Sequence, residues 1–130
     1  MTTRRGFLVT CAALLVLPMA ARAGSWVVLG QRRVRLGADH DRIAVNARGG
    51  PYSKLRLEVA RNGILIDAVR VTFANGDLAR FELRNFIERG GRTRDIDLPG
   101  GARDIRYIDL AYARRPGGGV AVVTALGQDA

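Results

Sequence analysis

Apolar residues recur at every second position along most of the chain, and no stretch keeps the i, i+3, i+4, i+7 period of a helix for more than about a turn. Leu55, Leu57 and Val59 alternate with Lys54, Arg56 and Glu58, and Val69, Val71 and Phe73 with Arg70 and Thr72. Phe81 and Leu83 stand between Arg80, Glu82 and Arg84; Ile108, Leu110 and Tyr112 alternate with Asp109 and Ala111. Shorter runs occur at Trp26 to Leu29, Val34 to Leu36 and Ile43 to Val45, while Val120 to Leu126 is apolar or small on both faces. Asn62-Gly63 and Asn75-Gly76 suit type I′ turns, which need positive φ at two residues. Gly49-Gly50-Pro51, Gly90-Gly91, Pro99-Gly100-Gly101 and Pro116 to Gly119 punctuate the rest. Eight or nine strands at spacings of about 8 to 12 residues predict an all-β fold. The expected form is an antiparallel β-sandwich, jelly-roll or immunoglobulin-like, with a small β-barrel as the alternative.

Three local expectations come from the same pattern. The apolar phase shifts between Ile64/Ile66 and Val69/Val71, so a bulge or corner is expected at Asp67. If residues 99–102 close a hairpin, Ile96 faces Ile105 and Asp95 stands opposite Arg106. Trp26 is expected as a core anchor of the first strand rather than a ligand platform.

The first 23 residues depart from this pattern. Arg4 and Arg5 form a positive head, Gly6 to Leu17 an apolar stretch of twelve, Pro18 a break, and Ala21-Arg22-Ala23 a small-residue cleavage site. Twelve apolar residues fall short of the about 20 that span a bilayer. Thr3-Arg4-Arg5-Gly6-Phe7-Leu8 resembles a twin-arginine export signal, which implies transport of an already folded chain. The expected organisation is therefore a signal peptide over residues 1–23 and one domain over 24–130, in the periplasm or secreted. Cys11, the only cysteine, would leave with the signal; its context only loosely resembles a lipidation site.

Three of the 21 basic side chains precede residue 24, leaving 18 against 12 acidic, a net charge of +6. Lys54 is the only lysine. Arginine's planar fork suits phosphate and carboxylate. Arg92, Arg94, Arg103 and Arg106, gathered by the expected hairpin, are the candidate anion-binding residues; interspersed acids make a plain solvated face the simpler alternative. The aromatic residues form no stacking platform readable from sequence, so nucleic acid is a poor partner.

Common catalytic constellations are missing. Beyond the signal the chain has one histidine, His40, and two serines, Ser25 and Ser53, neither in a nucleophile elbow. It has no phosphate-binding loop or dinucleotide fingerprint, and no cofactor is implied. Asp39 and Asp41 are weak candidates for a hard cation, although a turn explains them as well. Asp95 and Asp97 could pair as glycosidase acids, but charge balance against nearby arginines is the plainer reading.

Trp26 to Gly30, the Asp39-x-Asp41-x-Ile43 stretch, Phe73 to Gly76 and Arg94 to Arg103 together resemble a group of small exported bacterial proteins of unknown function. The resemblance implies a compact secreted β-sandwich and assigns no site. The expected function is that of a non-enzymatic envelope-binding or accessory protein, its contact an anionic envelope component or a protein partner. The alternative is an interaction module that docks a partner by edge-strand pairing. A hydrolase using acidic residues ranks below both.

Overall fold

The computed structural model describes residues 24–46 and 50–130. The signal residues Arg4, Arg5, Ala21 and Ala23, and Cys11, lie outside the described residues. Eight strands run in order: β1 (Trp26–Arg35), β2 (His40–Ala44), β3 (Tyr52–Ala60), β4 (Ile64–Phe73), β5 (Leu78–Ile87), β6 (Ile96–Asp97), β7 (Ile105–Tyr112) and β8 (Val120–Asp129). They form two antiparallel four-stranded sheets, β1-β8-β3-β6 and β2-β7-β4-β5. Apart from the β4-β5 hairpin, successive strands cross between the sheets, which is the habit of a jelly roll. The sheets do not close on each other, so the barrel alternative falls. An immunoglobulin order would need different neighbours. No helix among the described residues is long and apolar enough to cross a membrane.

The period-2 pattern puts one apolar face of each sheet inward. Leu29 and Val34 of β1, Leu55, Leu57 and Val59 of β3, and Ala121, Val123 and Ala125 of β8 cover one side of the core. Ile43, Ile66, Val69, Val71, Ile108 and Leu110 cover the other. The phase shift in β4 is a bulge: register slips between Ile66 and Ala68 against both β5 and β7. Asp67 sits there as expected, but exposed.

Three other expectations need correction. Ile96 pairs with Leu55 in the first sheet while Ile105 pairs with Phe73 in the second, so no 92–109 hairpin forms. A jelly roll sends residues 98–104 across the end of the sandwich instead. Trp26 faces outward: in β1 it shares the outer face with Val28, 56% exposed, and the smaller Val27 and Leu29 turn inward. Its ring is covered by the Arg56 guanidinium, 3.8 Å from the ring centre, which satisfies its apolar face without burial in the core. Neither Asn-Gly pair forms a type I′ turn. At 75–76 only Gly76 has positive φ, and Arg61-Asn62-Gly63 crosses between sheets with the positive φ (73°) on Arg61.

The two ends of the sandwich differ in which strands start and stop there. At the Tyr52 end, β3 and β7 begin and β4 and β8 finish, tied by Tyr52 N–H to Arg103 O (2.8 Å) and Ala74 N–H to Asp104 O (2.9 Å). At the Arg61 end, β3 and β7 finish and β4 and β8 begin.

Candidate functional site

The Arg61 end carries a cavity of about 400 Å³. Backbone hydrogen bonds assemble it. Leu36 N–H donates to Gly119 O (2.9 Å), Arg115 N–H to Leu36 O (2.7 Å), and Ala113 N–H to Leu65 O (2.9 Å). Asn62 Nδ2 donates to Val120 O (2.6 Å), holding the 61–63 connection against β8. Leu65 and Phe86 are cross-strand partners on β4 and β5 and form the outer apolar wall. Gly63 makes that wall possible: a Cβ there would lie 2.4 Å from Phe86 Cζ, so only a bare backbone lets the ring settle against it.

Four arginines line this cavity, Arg61, Arg89, Arg114 and Arg115, and no acidic residue does. Arg114 makes one exposed contact with Asp39 (3.6 Å), of a kind worth little in water. Among the described residues Arg61, Arg89 and Arg115 enter no ion pair. Arg61 also holds a backbone conformation that costs a non-glycine residue about 1–3 kcal/mol. Such strain, together with uncompensated charge over an apolar floor, marks the cavity as the candidate binding site.

The outer face of the second sheet carries as many arginines but compensates them. Arg42 Nε donates to Asp109 Oδ1 (2.7 Å) and stacks on Tyr107 at 4.3 Å, and Arg70 lies 3.7 Å from the same carboxylate. That hydrogen bond to Asp109 raises the Arg42 pKa. Arg80 pairs with Glu82 (2.6 Å), which Arg84 also approaches at 3.6 Å; on β1 of the first sheet, Arg32 pairs with Asp41 of β2 (2.7 Å).

The four sequence-predicted anion residues are not gathered into one cluster, although Arg103 and Arg106 both reach the 74–77 turn. Arg92 bridges Glu58 near the finish of β3 and Arg103 bridges Tyr52 at its start, a separation of about 20 Å along the strand. Arg103 is consumed internally: it reaches Pro99 O (3.2 Å), Asn75 Oδ1 (3.4 Å) and Asp77 Oδ2 (3.1 Å) and covers the Phe73 ring at 3.8 Å. Arg106 donates to Ala74 O (3.1 Å). Arg94 is exposed.

Asp39 accepts from His40 Nδ1 (2.9 Å), which lowers its pKa, and Asp41 is taken by Arg32. Among the described residues no group of three or more His, Cys, Asp or Glu is placed to hold a metal ion. Asp95 pairs with Arg56 (3.1 Å) and Asp97 with Lys54, so charge balance holds, but with partners on β3 rather than the neighbouring arginines. His40 opens β2 at the Arg61 end, whereas Ser25 and Ser53 lie at the Tyr52 end, which separates the parts of any Ser-His pair.

Sequence reasoning missed this grouping of arginines, which come from three separate segments, 61, 89 and 114–115. The one available signal was the Arg61-Asn62-Gly63 connection, which reads locally as a hairpin turn.

The chain belongs to a family described as a domain of unknown function (DUF2541), matched over residues 8–127. No curated protein matches it significantly in sequence. Among solved structures it is similar to AlgX of Pseudomonas aeruginosa, with 15% identity and a TM-score of 0.50, over 80% of this chain and 27% of that one. The chain thus spans about a quarter of AlgX, and the likeness is one of fold. A family 29 carbohydrate-binding module is similar at 14% identity and a TM-score of 0.41, over 80% of this chain and 88% of that one.

Proposed function

We propose that the protein is an exported, non-enzymatic binding protein of the bacterial cell envelope that holds an anionic envelope component in the cavity at the Arg61 end. The observation that carries the binding reading is a preformed apolar cavity lined by four arginines and no acid. Arginine forks make bidentate, charge-assisted hydrogen bonds to phosphate and carboxylate. Export rests on the Arg4-Arg5 head, the apolar run behind it and the Ala21-Arg22-Ala23 site.

Edge-strand docking has weaker support. β5 is a ten-residue edge, but it presents Arg80, Glu82 and Arg84, and Arg84 has a φ of 45°. Charge and a local twist are how edges are kept from pairing.

The test is co-sedimentation of the purified protein with lipopolysaccharide, peptidoglycan and anionic vesicles across a salt series. The expected result is binding that weakens with salt and is lost in an R61A/R89A/R115A variant, while R92A/R94A/R106A retains it. Loss in the second variant and not the first would move the site to the residues read from sequence. Replacing Arg4 and Arg5 by lysine should leave the chain in the cytoplasmic fraction; unchanged export would remove the twin-arginine route.

A further inference from the structure

We infer that the occupant of this cavity is an amphiphile, a single phosphate or carboxylate group carrying one apolar tail. The inference rests on the anion-binding reading above and deepens it by naming the ligand class.

The arginines account for only one part of the lining. Leu36, Ile64, Leu65, Phe86, Ala113 and Pro116 supply its apolar part, beside Asn62 and Gly63. Leu65 is 37% exposed and Phe86 57%, and they are two of the four large hydrophobic side chains exposed among the described residues. They are also paired with each other across β4 and β5, so the exposure is contiguous. A solvated phosphate or a sugar phosphate satisfies the arginines and leaves this wall wet. A ligand with an apolar segment covers both, and the hydrophobic gain comes with no loss of hydrogen bonds.

The cavity is also built for one tail. Its volume of about 400 Å³ lies at the lower end of the range for small-molecule sites. The wall is present without a ligand, the Phe86 ring lying against the Gly63 backbone. Charge selects the head group: with no carboxylate in the lining, a cationic or zwitterionic head finds no partner for its positive charge. Phosphate and carboxylate share the chemistry that the arginine fork recognises.

The experiment titrates the protein, by calorimetry or by amide chemical shifts, with methyl, butyl, hexyl and octyl phosphate below their micelle concentrations. Octanol, octanoate and anionic vesicles complete the set. Affinity is expected to rise about fourfold per added methylene, the factor for burying one such group, until the tail fills the cavity. Octanoate should bind and octanol should not. Phe86→Ser should flatten the chain-length series, lowering octyl phosphate affinity far more than methyl phosphate affinity. Arg89→Ala should weaken every phosphate by a similar factor.

A flat series, with methyl phosphate binding as well as octyl phosphate, would overturn the amphiphile and leave anion binding standing. No binding by any phosphate or carboxylate would remove both readings. Binding to vesicles alone, with no monomeric alkyl phosphate bound, would make the Arg61 end a membrane-contact surface and overturn the inference. Amide shifts unchanged away from the mutated residue serve as the folding control for each variant.

Discussion

The two ends of the sandwich use the same residue type in opposite ways. At the Tyr52 end Arg103 is spent: it lies over Phe73, bonds Pro99 O and reaches Asn75 and Asp77. At the Arg61 end Arg61, Arg89 and Arg115 surround an apolar cavity without an ion-pair partner among the described residues. Asp77, Asp104 and Asp129 stand at the first end, whereas no acid lines the cavity. Arginine content is therefore uninformative about a site in this chain; the supply of acids around each arginine is what separates structural from available charge.

The sharpest test of this contrast is Phe73→Ala. Phe73 is buried beneath Arg103, and its truncation should cost about 3–5 kcal/mol in urea denaturation. Alkyl phosphate affinity of the folded protein should stay unchanged. A loss of affinity would mean that the ends are coupled.

Next in size is the pair Arg103→Ala and Arg89→Ala. The first should lose about 1–2 kcal/mol of stability, from its hydrogen bonds and ring contact, with no loss of binding. The second should stay within about 0.5 kcal/mol of the parent yet bind an anion roughly ten- to a hundredfold more weakly, the value of one charge-assisted hydrogen bond. If both variants lose stability and neither loses affinity, the distinction between the ends is void.

Arg61→Gly should separate strain from binding. Relief of the positive φ at Arg61 should raise stability by up to about 1 kcal/mol while affinity falls. A destabilised variant would show that Arg61 is held for packing.

The smallest effects concern two buried tyrosines, one at each end. Tyr112 Oη donates to Arg35 O (3.1 Å), so Tyr112→Phe should cost about 1 kcal/mol. Tyr52 Oη is buried with no hydrogen-bond partner among the described residues, so Tyr52→Phe should be neutral or slightly stabilising. Burial raises both hydroxyl pKa values above the ordinary 10.0. Below pH 10 both states are protonated and stability is intact. Above it the unfolded chain ionises first, so the melting temperature should drop as the pH rises past 10.0. The double Phe variant should flatten that drop, and an unchanged slope would assign it elsewhere.

How far the chain can be read without a structure is set by the same physics. Strand periodicity is local, so the all-β class, the inward faces of β3, β4 and β7 and the bulge at Asp67 are legible in the sequence. Pairing is not local. The expected 92–109 hairpin is the shortest closure available, but the jelly roll places Ile96 beside Leu55 and Ile105 beside Phe73. Moving those partners splits the arginine cluster built on them, leaving Arg103 and Arg106 at the 74–77 turn and Arg92 beside Glu58. Trp26 misleads for another reason: alternation says that two faces exist, not which is inside, and side-chain size chooses wrongly. The cavity itself joins residues 36, 61–65, 86, 89 and 113–116, a set that no local pattern marks.

The chain's lone lysine has a practical meaning. Lys54 is the third residue of β3, beside Gln128 and Asp97, at the Tyr52 end. Asp129 N–H bonds Ser25 O there as well, so both Ser25 and Asp129 sit at that end. Amine-directed coupling through Lys54, or a tag after Ala130, therefore grips the molecule opposite its cavity. On a sensor chip the copies would stand in one orientation, cavity outward, with the arginine side chains untouched by the coupling chemistry.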